Sequence, residues 1–183
     1  YEHTIKGSKR FSSARAYLHP ALKRKNLYTK INITVDKVIF ENKKAIGIEY
    51  IDKGKRVFCR GNKEIILSSG AVNSPQILMR SGIGYSEEIK KHGIEVVHEL
   101  KGVGKNLQDH ISVVSQFQCT QPVTLHRSAS FLGTMLAGVK YLVTGTGDAA
   151  NPPCVGGAFI KSHPEKEIPD IQIHYVSIAM QDV

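Results

Sequence analysis

The chain has 183 residues, 41% hydrophobic and 22% charged, with a formal net charge of +9 at pH 7. Such an apolar share excludes an intrinsically disordered segment. The length suits one domain with a sizeable core or parts of two.

In chain order, Ser12 or Ser13 can cap a helix through Ala14 to Leu18, with Pro20 disturbing its continuation. Leu27, Tyr28 and Thr29 open a strand. Three β-rich runs follow, over residues 34–40, 45–51 and 56–59, separated by polar turns at 41–44 and 52–55. That spacing predicts an antiparallel meander. Residues 64–68 then carry Ile65, Ile66 and Leu67 in a row, the pattern of a strand covered on both faces. Residues 87–93 read as a short surface helix with acids early, bases late and Gly93 as its stop. A short strand is expected over 94–100, another over 111–119, an apolar helix over 131–143, and further strands over 156–160 and 171–176. The change of character near His110 predicts a domain transition, dividing the chain into residues 1–110 and 111–183.

Charge and cysteine usage narrow the classes further. The basic residues gather in short turns (Lys23-Arg24-Lys25, Lys43-Lys44, Lys53 with Lys55-Arg56) without interleaved aromatics, so no nucleic-acid face is expected. Cys59, Cys119 and Cys154 are an odd set without CxxC spacing, which predicts neither a zinc site nor a disulfide framework. Reduced thiols suit a cytoplasmic setting. No apolar run approaches the roughly 20 residues that cross a bilayer, although peripheral membrane association stays open. The opening Tyr1-Glu2-His3 has neither a start methionine nor a secretory pattern, so the chain is expected to be a fragment.

The most informative stretch runs from Ser68 to Gly84. An apolar strand turns through Gly70 and Ala71 into a helix, with Ser74 placed to cap it and Pro75 tolerated in its first turn. Such a bend puts backbone N–H groups and the positive end of a helix dipole where an anionic ligand can sit. Downstream, Asn106, Leu107, Gln108, Asp109 and His110 follow a Gly-x-Gly turn and concentrate hydrogen-bonding side chains. By contrast, Gly145-Thr146-Gly147-Asp148-Ala149-Ala150 satisfies GxGxxA in form only. It follows a helix, and Pro152-Pro153 blocks another, so it reads as a loop. The other histidines show no metal-ligand spacing, and the sequon Asn32-Ile33-Thr34 sits at a strand.

These residues together resemble the glucose–methanol–choline (GMC) family of FAD-dependent oxidoreductases, nearest to choline or alcohol dehydrogenases. Gly70, Ala71, Ser74, Pro75, Ile77, Leu78, Ser81, Gly82, Ile83 and Gly84 match its second signature. Gly102 to His110 is similar to the loop that follows it, and Ser12 to Leu18 to the segment entering the flavin domain's later strands. The resemblance implies an α/β fold, α+β overall: part of a Rossmann-like FAD-binding domain with a β-meander over 1–110, then the start of a substrate-side antiparallel sheet domain over 111–183. It implies FAD held near Gly70, Ala71 and Ser74, with the backbone of Val35 toward the adenine and Asn106, Asp109 and His110 bracing the flavin loop. The implied activity is oxidation of a small-molecule alcohol to an aldehyde or ketone, with hydride transfer to flavin N5. The electron acceptor is left as quinone, dye or O2.

In that family the first phosphate-binding glycines lie before Tyr1 and the catalytic histidine pair beyond Val183. No catalytic residue and no metal ligand are therefore assigned here, and the 183 residues alone are expected to be inactive. The run Asn151-Pro152-Pro153-Cys154 departs from the choline-dehydrogenase pattern, which counts against choline itself. Two other readings stand beside this one: a basic interaction module that has lost its cofactor, and a hydroxynitrile lyase on the same fold.

Overall fold

The computed structural model describes residues 4–178. The chain divides into two units, one made of residues 28–112 and the other of residues 1–27 together with 113–183. The second of these begins with a small hairpin, β1 (Ile5–Lys6) against β2 (Lys9–Arg10). Gly7 and Ser8 both take positive φ, as a two-residue hairpin turn of the right twist needs. The helix expected after Ser12 forms as a π-helical stretch, Ala14–Leu18, running directly into α1 (His19–Ala21). Neither serine caps it: Ser13 is itself helical and makes no side-chain cap bond. Pro20 is the second residue of α1, and because the preceding stretch runs straight into it, the helix passes through the proline at the cost of one backbone hydrogen bond. The strand expected at Leu27 does not form, and these residues have no ladder partner among the described residues.

The meander is present. Strands β3 (Thr34–Glu41), β4 (Lys44–Asp52) and β5 (Lys55–Arg60) pair antiparallel in sequence order. Their two-residue turns, Asn42-Lys43 and Lys53-Gly54, have positive φ at every position, which matches the right-handed strand twist. A register shift between Val35 and Lys37 makes a bulge at Asp36. Residues 64–68 are not a strand: they run without a ladder partner, and Ile66 is 75% exposed. A continuous apolar run favours a strand only when neighbours supply hydrogen bonds and cover both faces. Among the described residues none does.

Helix α2 spans Gly70–Arg80. Its N-cap is Ser69, five residues earlier than Ser74. Gly70 takes φ +84°, so the chain turns into the helix at once. Ser74 Oγ instead reaches back to accept the N–H of Ser69 at 2.9 Å. Pro75 therefore lies inside the helix and leaves the carbonyl of Ala71 without its usual donor. After Ser81 come β6 (Ile83–Gly84), α3 (Ser86–Lys91) and β7 (His98–Glu99), the two short strands pairing in parallel. The strand expected over 94–100 is thus reduced to two residues. The buried apolar residues Val38, Tyr50, Ile77, Ile89 and Val103 all belong to this unit.

The remaining elements return to the other unit. A 3-10 turn (Leu125–Ala129) leads into α4 (Phe131–Thr144), capped where Ser130 Oγ accepts the Gly133 N–H at 3.1 Å and ended by Gly145 at φ +67°. Tyr141 Oη donates to the Ser8 carbonyl at 3.0 Å, fixing α4 to the first hairpin. A second 3-10 turn (Asp148–Ala150) follows, so the GxGxxA string is a loop. Strands β8 (Cys154–Ile160) and β9 (Ile171–Val176) form an antiparallel pair. No strand forms over 111–119, where Ile111 and Phe117 are 98% and 90% exposed. No helix among the described residues is long and apolar enough to cross a membrane.

Candidate functional site

The site grows from the start of α2. The first N–H groups of any α-helix lack carbonyl partners within it and carry the positive end of its dipole. Here that turn is open: Gly70, Ala71, Val72 and Asn73 are all exposed. A Cβ placed on Gly70 would meet nothing within 4 Å. The missing side chain leaves room for a ligand to reach the backbone.

The opposite end of α2 is tied to the meander. Ser81 is buried, and its Oγ accepts the Val38 N–H of β3 at 2.8 Å while donating to the Ile77 carbonyl at 2.5 Å. Asp36, only 4% exposed, is paired with Arg80 of α2 and with Arg56 of β5. Arg56 also reaches Glu49 on β4 at 2.5 Å. The bulge at Asp36 aims a charged side chain inward, and two guanidiniums compensate it. One carboxylate of β3 thus joins β5 and α2.

The same end of α2 seats the loop that follows β7. Gly104 takes φ +74°, and a Cβ there would come 3.0 Å from Met79 Sδ. The Leu100 N–H donates to the Gly84 carbonyl at 2.8 Å, and Lys105 pairs with Glu88 at 3.2 Å. Gly82, at φ +85°, lies so close to residues 95–97 that a Cβ would be 2.3 Å from the Glu95 carbonyl oxygen. Only glycine fits that crossing.

The seven residues singled out from the sequence all lie in the 28–112 unit, in three groups. Gly70, Ala71 and Ser74 form the open start of α2. Val35 lies on β3, half-buried and opposite Tyr50, beside the bulge. Asn106, Asp109 and His110 are exposed in the loop rooted at Gly104. Asn106 takes φ +56°, and Asp109 Oδ1 accepts the His110 backbone N–H at 2.7 Å. The α2 residues that meet β3 and the loop, Ile77, Met79, Arg80 and Ser81, sit at the helix end away from Gly70. At 1.5 Å per residue the ends of this helix are about 15 Å apart. The open start of α2 thus lies at one end of the helix, and the strand of Val35 and the root of the 106–110 loop meet the other.

Next to Val35 lies a polar cluster that no local sequence pattern signals. Lys30 Nζ donates to Asp52 at 2.6 Å and to Tyr50 Oη at 3.2 Å, and lies over the Tyr50 ring. The hydrogen bond to Asp52, then that to Tyr50, holds the Lys30 ammonium above the usual lysine range. Asp36 was detectable in principle, because it shares the inward phase of β3 with Val38, where a carboxylate needs a cation. Among the described residues no group of three or more His, Cys, Asp or Glu could hold a metal ion.

The sequence pattern of the family described as GMC oxidoreductase matches residues 2–112. The chain is 46% identical over 173 residues to mitochondrial choline dehydrogenase of Homo sapiens, covering 94% of this chain and 29% of that protein. It is 42% identical over 177 residues to an oxygen-dependent choline dehydrogenase of Pseudomonas putida, covering 96% of this chain and 31% of that protein. Among solved structures it resembles an FAD-dependent oxidoreductase from Chaetomium thermophilum, with TM-score 0.71 and 26% identity over 79% of this chain and 26% of that one. Formate oxidase of Aspergillus oryzae shares the fold, with TM-score 0.79 and 18% identity over 96% of this chain and 34% of that one. The chain spans less than a third of the length of either choline dehydrogenase.

Proposed function

Because the chain belongs to the GMC oxidoreductase family, we propose that it is the middle part of an enzyme that uses FAD to oxidise an alcohol to an aldehyde or ketone. The observation that carries this reading is the open, glycine-led start of α2, which lies inside the matched span and fits a phosphate-bearing ligand. FAD, when bound, supplies the acceptor, flavin N5, for the hydride that leaves the alcohol carbon.

The chain's own residues bind and orient. The N–H groups after Ser69 face an anionic part of the cofactor, with Gly70 leaving space and Ala71 adding no bulk. The backbone of Val35 faces the adenine end, held in place by the Asp36 pairs. Asn106, Asp109 and His110 brace the loop on the flavin side, its root seated on Met79. None of these takes the substrate's proton, so no residue of this chain is assigned to the chemical step. The electron acceptor is a quinone, a dye or O2.

The two relatives named above support choline as the first compound to try, and the Asn151-Pro152-Pro153-Cys154 run argues for a wider alcohol panel. The test is the visible spectrum of the complete gene product before and after anaerobic addition of each alcohol. A flavin band that bleaches with at least one alcohol is expected. A colourless protein that releases no FAD on denaturation would rule the reading out.

A further inference from the structure

The oxidation proposed above leaves one nucleophile unused. Cys154 opens β8 with its Sγ 3.7 Å from Nδ1 of His174 on β9 and 3.6 Å from the Gly156 carbonyl oxygen. The register explains how they meet. Cys154 stands opposite Val176 and His174 opposite Gly157; Val176 and His174, two apart on β9, share one face, so the thiol and the imidazole are diagonal neighbours on it. Gly157 has no side chain to separate them. Cys59 and Cys119 are exposed, and Cys154 is the one cysteine with an imidazole in hydrogen-bonding reach among the described residues.

Cys154 also borders a cavity of about 570 Å³ lined by Thr124, Leu125, Ser128, Asp148 and Asn151, with His174 on the strand next to it. That volume lies within the range of small-molecule sites. Ser128 Oγ donates to the Asp148 carboxylate on its wall. A nucleophile, a base in contact with it and a space for a reactant are the parts that covalent capture needs.

We propose that Cys154, deprotonated by His174, is a nucleophile that captures a small carbonyl electrophile in this cavity. The sulfur forms an S–C bond to the carbonyl carbon, and the C=O π pair moves onto oxygen. That oxygen takes the proton held by His174, giving a hemithioacetal. Nothing is oxidised or reduced, and the adduct reverses by the same path. Aldehydes are the class that the proposed oxidation would release, but the reactivity of the thiol rests on its own geometry.

The test is iodoacetamide labelling of the complete gene product, with the extent at each cysteine read by peptide mass spectrometry. Alkylation joins sulfur to carbon and expels iodide, so it reports the thiolate. Cys154 should react about tenfold or more faster than Cys119 at neutral pH. His174→Gln should bring its rate down to that of Cys119, and imidazole added to the buffer should restore part of it. Unchanged hydrogen-exchange protection of β8 and β9 in that variant reports an intact fold. Acetaldehyde should protect Cys154, and dialysis should lift the protection. Equal rates at Cys154 and Cys119, no effect of His174→Gln, or no protection by acetaldehyde would each overturn the proposal. Flavin content is measured on the same sample, so failure of the oxidation reading and failure of this one are told apart.

Discussion

Asp36 gives the sharpest test of how the meander holds α2. Its carboxylate is buried while its partners are not: the Arg56 and Arg80 side chains are 61% and 45% exposed. The two ways of breaking the cluster should therefore differ in cost. Asp36→Asn removes the buried charge and leaves two arginines that water can solvate, so the loss is that of hydrogen bonds, about 1–2 kcal/mol. Replacing both Arg56 and Arg80 with Gln strands a carboxylate in the interior, which costs about 3–5 kcal/mol. Hydrogen exchange on the complete gene product, read on peptides covering β3 and β5, resolves the two locally. Protection should fall by about 5- to 30-fold in Asp36→Asn and by about a hundredfold or more in the double variant. A double variant as mild as Asp36→Asn would refute the claim that the carboxylate is the buried, dependent partner.

Other expectations follow from single contacts. Ser81→Ala leaves the buried Val38 N–H without an acceptor and should cost about 1–3 kcal/mol in the same exchange assay, concentrated on β3. Gly82→Ala combines a positive φ with a 2.3 Å clash against a backbone oxygen. It should cost about 2–5 kcal/mol and expose the β6–β7 amides, whereas Gly93→Ala, at positive φ in open space, should cost only about 1–2 kcal/mol. The Ser162 N–H and then its hydroxyl, both 2.7 Å away, hold the Asp170 carboxyl below the usual aspartate value of 3.8. Since the folded value lies below the unfolded one, this contribution to stability is full above the unfolded value and disappears as pH falls through the folded one. An NMR titration should place the Asp170 midpoint below 3.8, and Ser162→Ala should raise it.

Local rules carried the sequence reading furthest where structure is local. The meander turns were legible from Asn42-Lys43 and Lys53-Gly54, α3 from its charge order, and α4 from its apolar length. The reading failed where long-range pairing or one backbone angle decides. Residues 64–68 and 111–119 have strand-like composition, yet a strand exists only through a neighbour, and none pairs with them among the described residues. The start of α2 was placed at Ser74 because serine before proline is a strong helix-start signal, whereas the left-handed Gly70 begins the helix earlier. Two of the three groups of candidate site residues could be named from the signature and its following loop, and Val35 from the family resemblance alone. Their common support could not, because Asp36 meets Arg56 and Arg80, and Ser81 meets Val38, across 20 to 44 positions of sequence. The Cys154–His174 contact was hidden for the same reason, since the pairing of β8 with β9 across 20 positions creates it.

The flavin content of an Ala71→Asp variant of the complete gene product tests the central claim most directly. An acidic residue in the first turn of a helix favours the helix itself, so α2 should stay folded, while the added carboxylate repels phosphate at the open bend. Near-stoichiometric FAD in the parent protein and about a tenth of that or less in the variant is the expected result. Equal FAD content in both, with β3 exchange unchanged, would contradict a cofactor held at this bend.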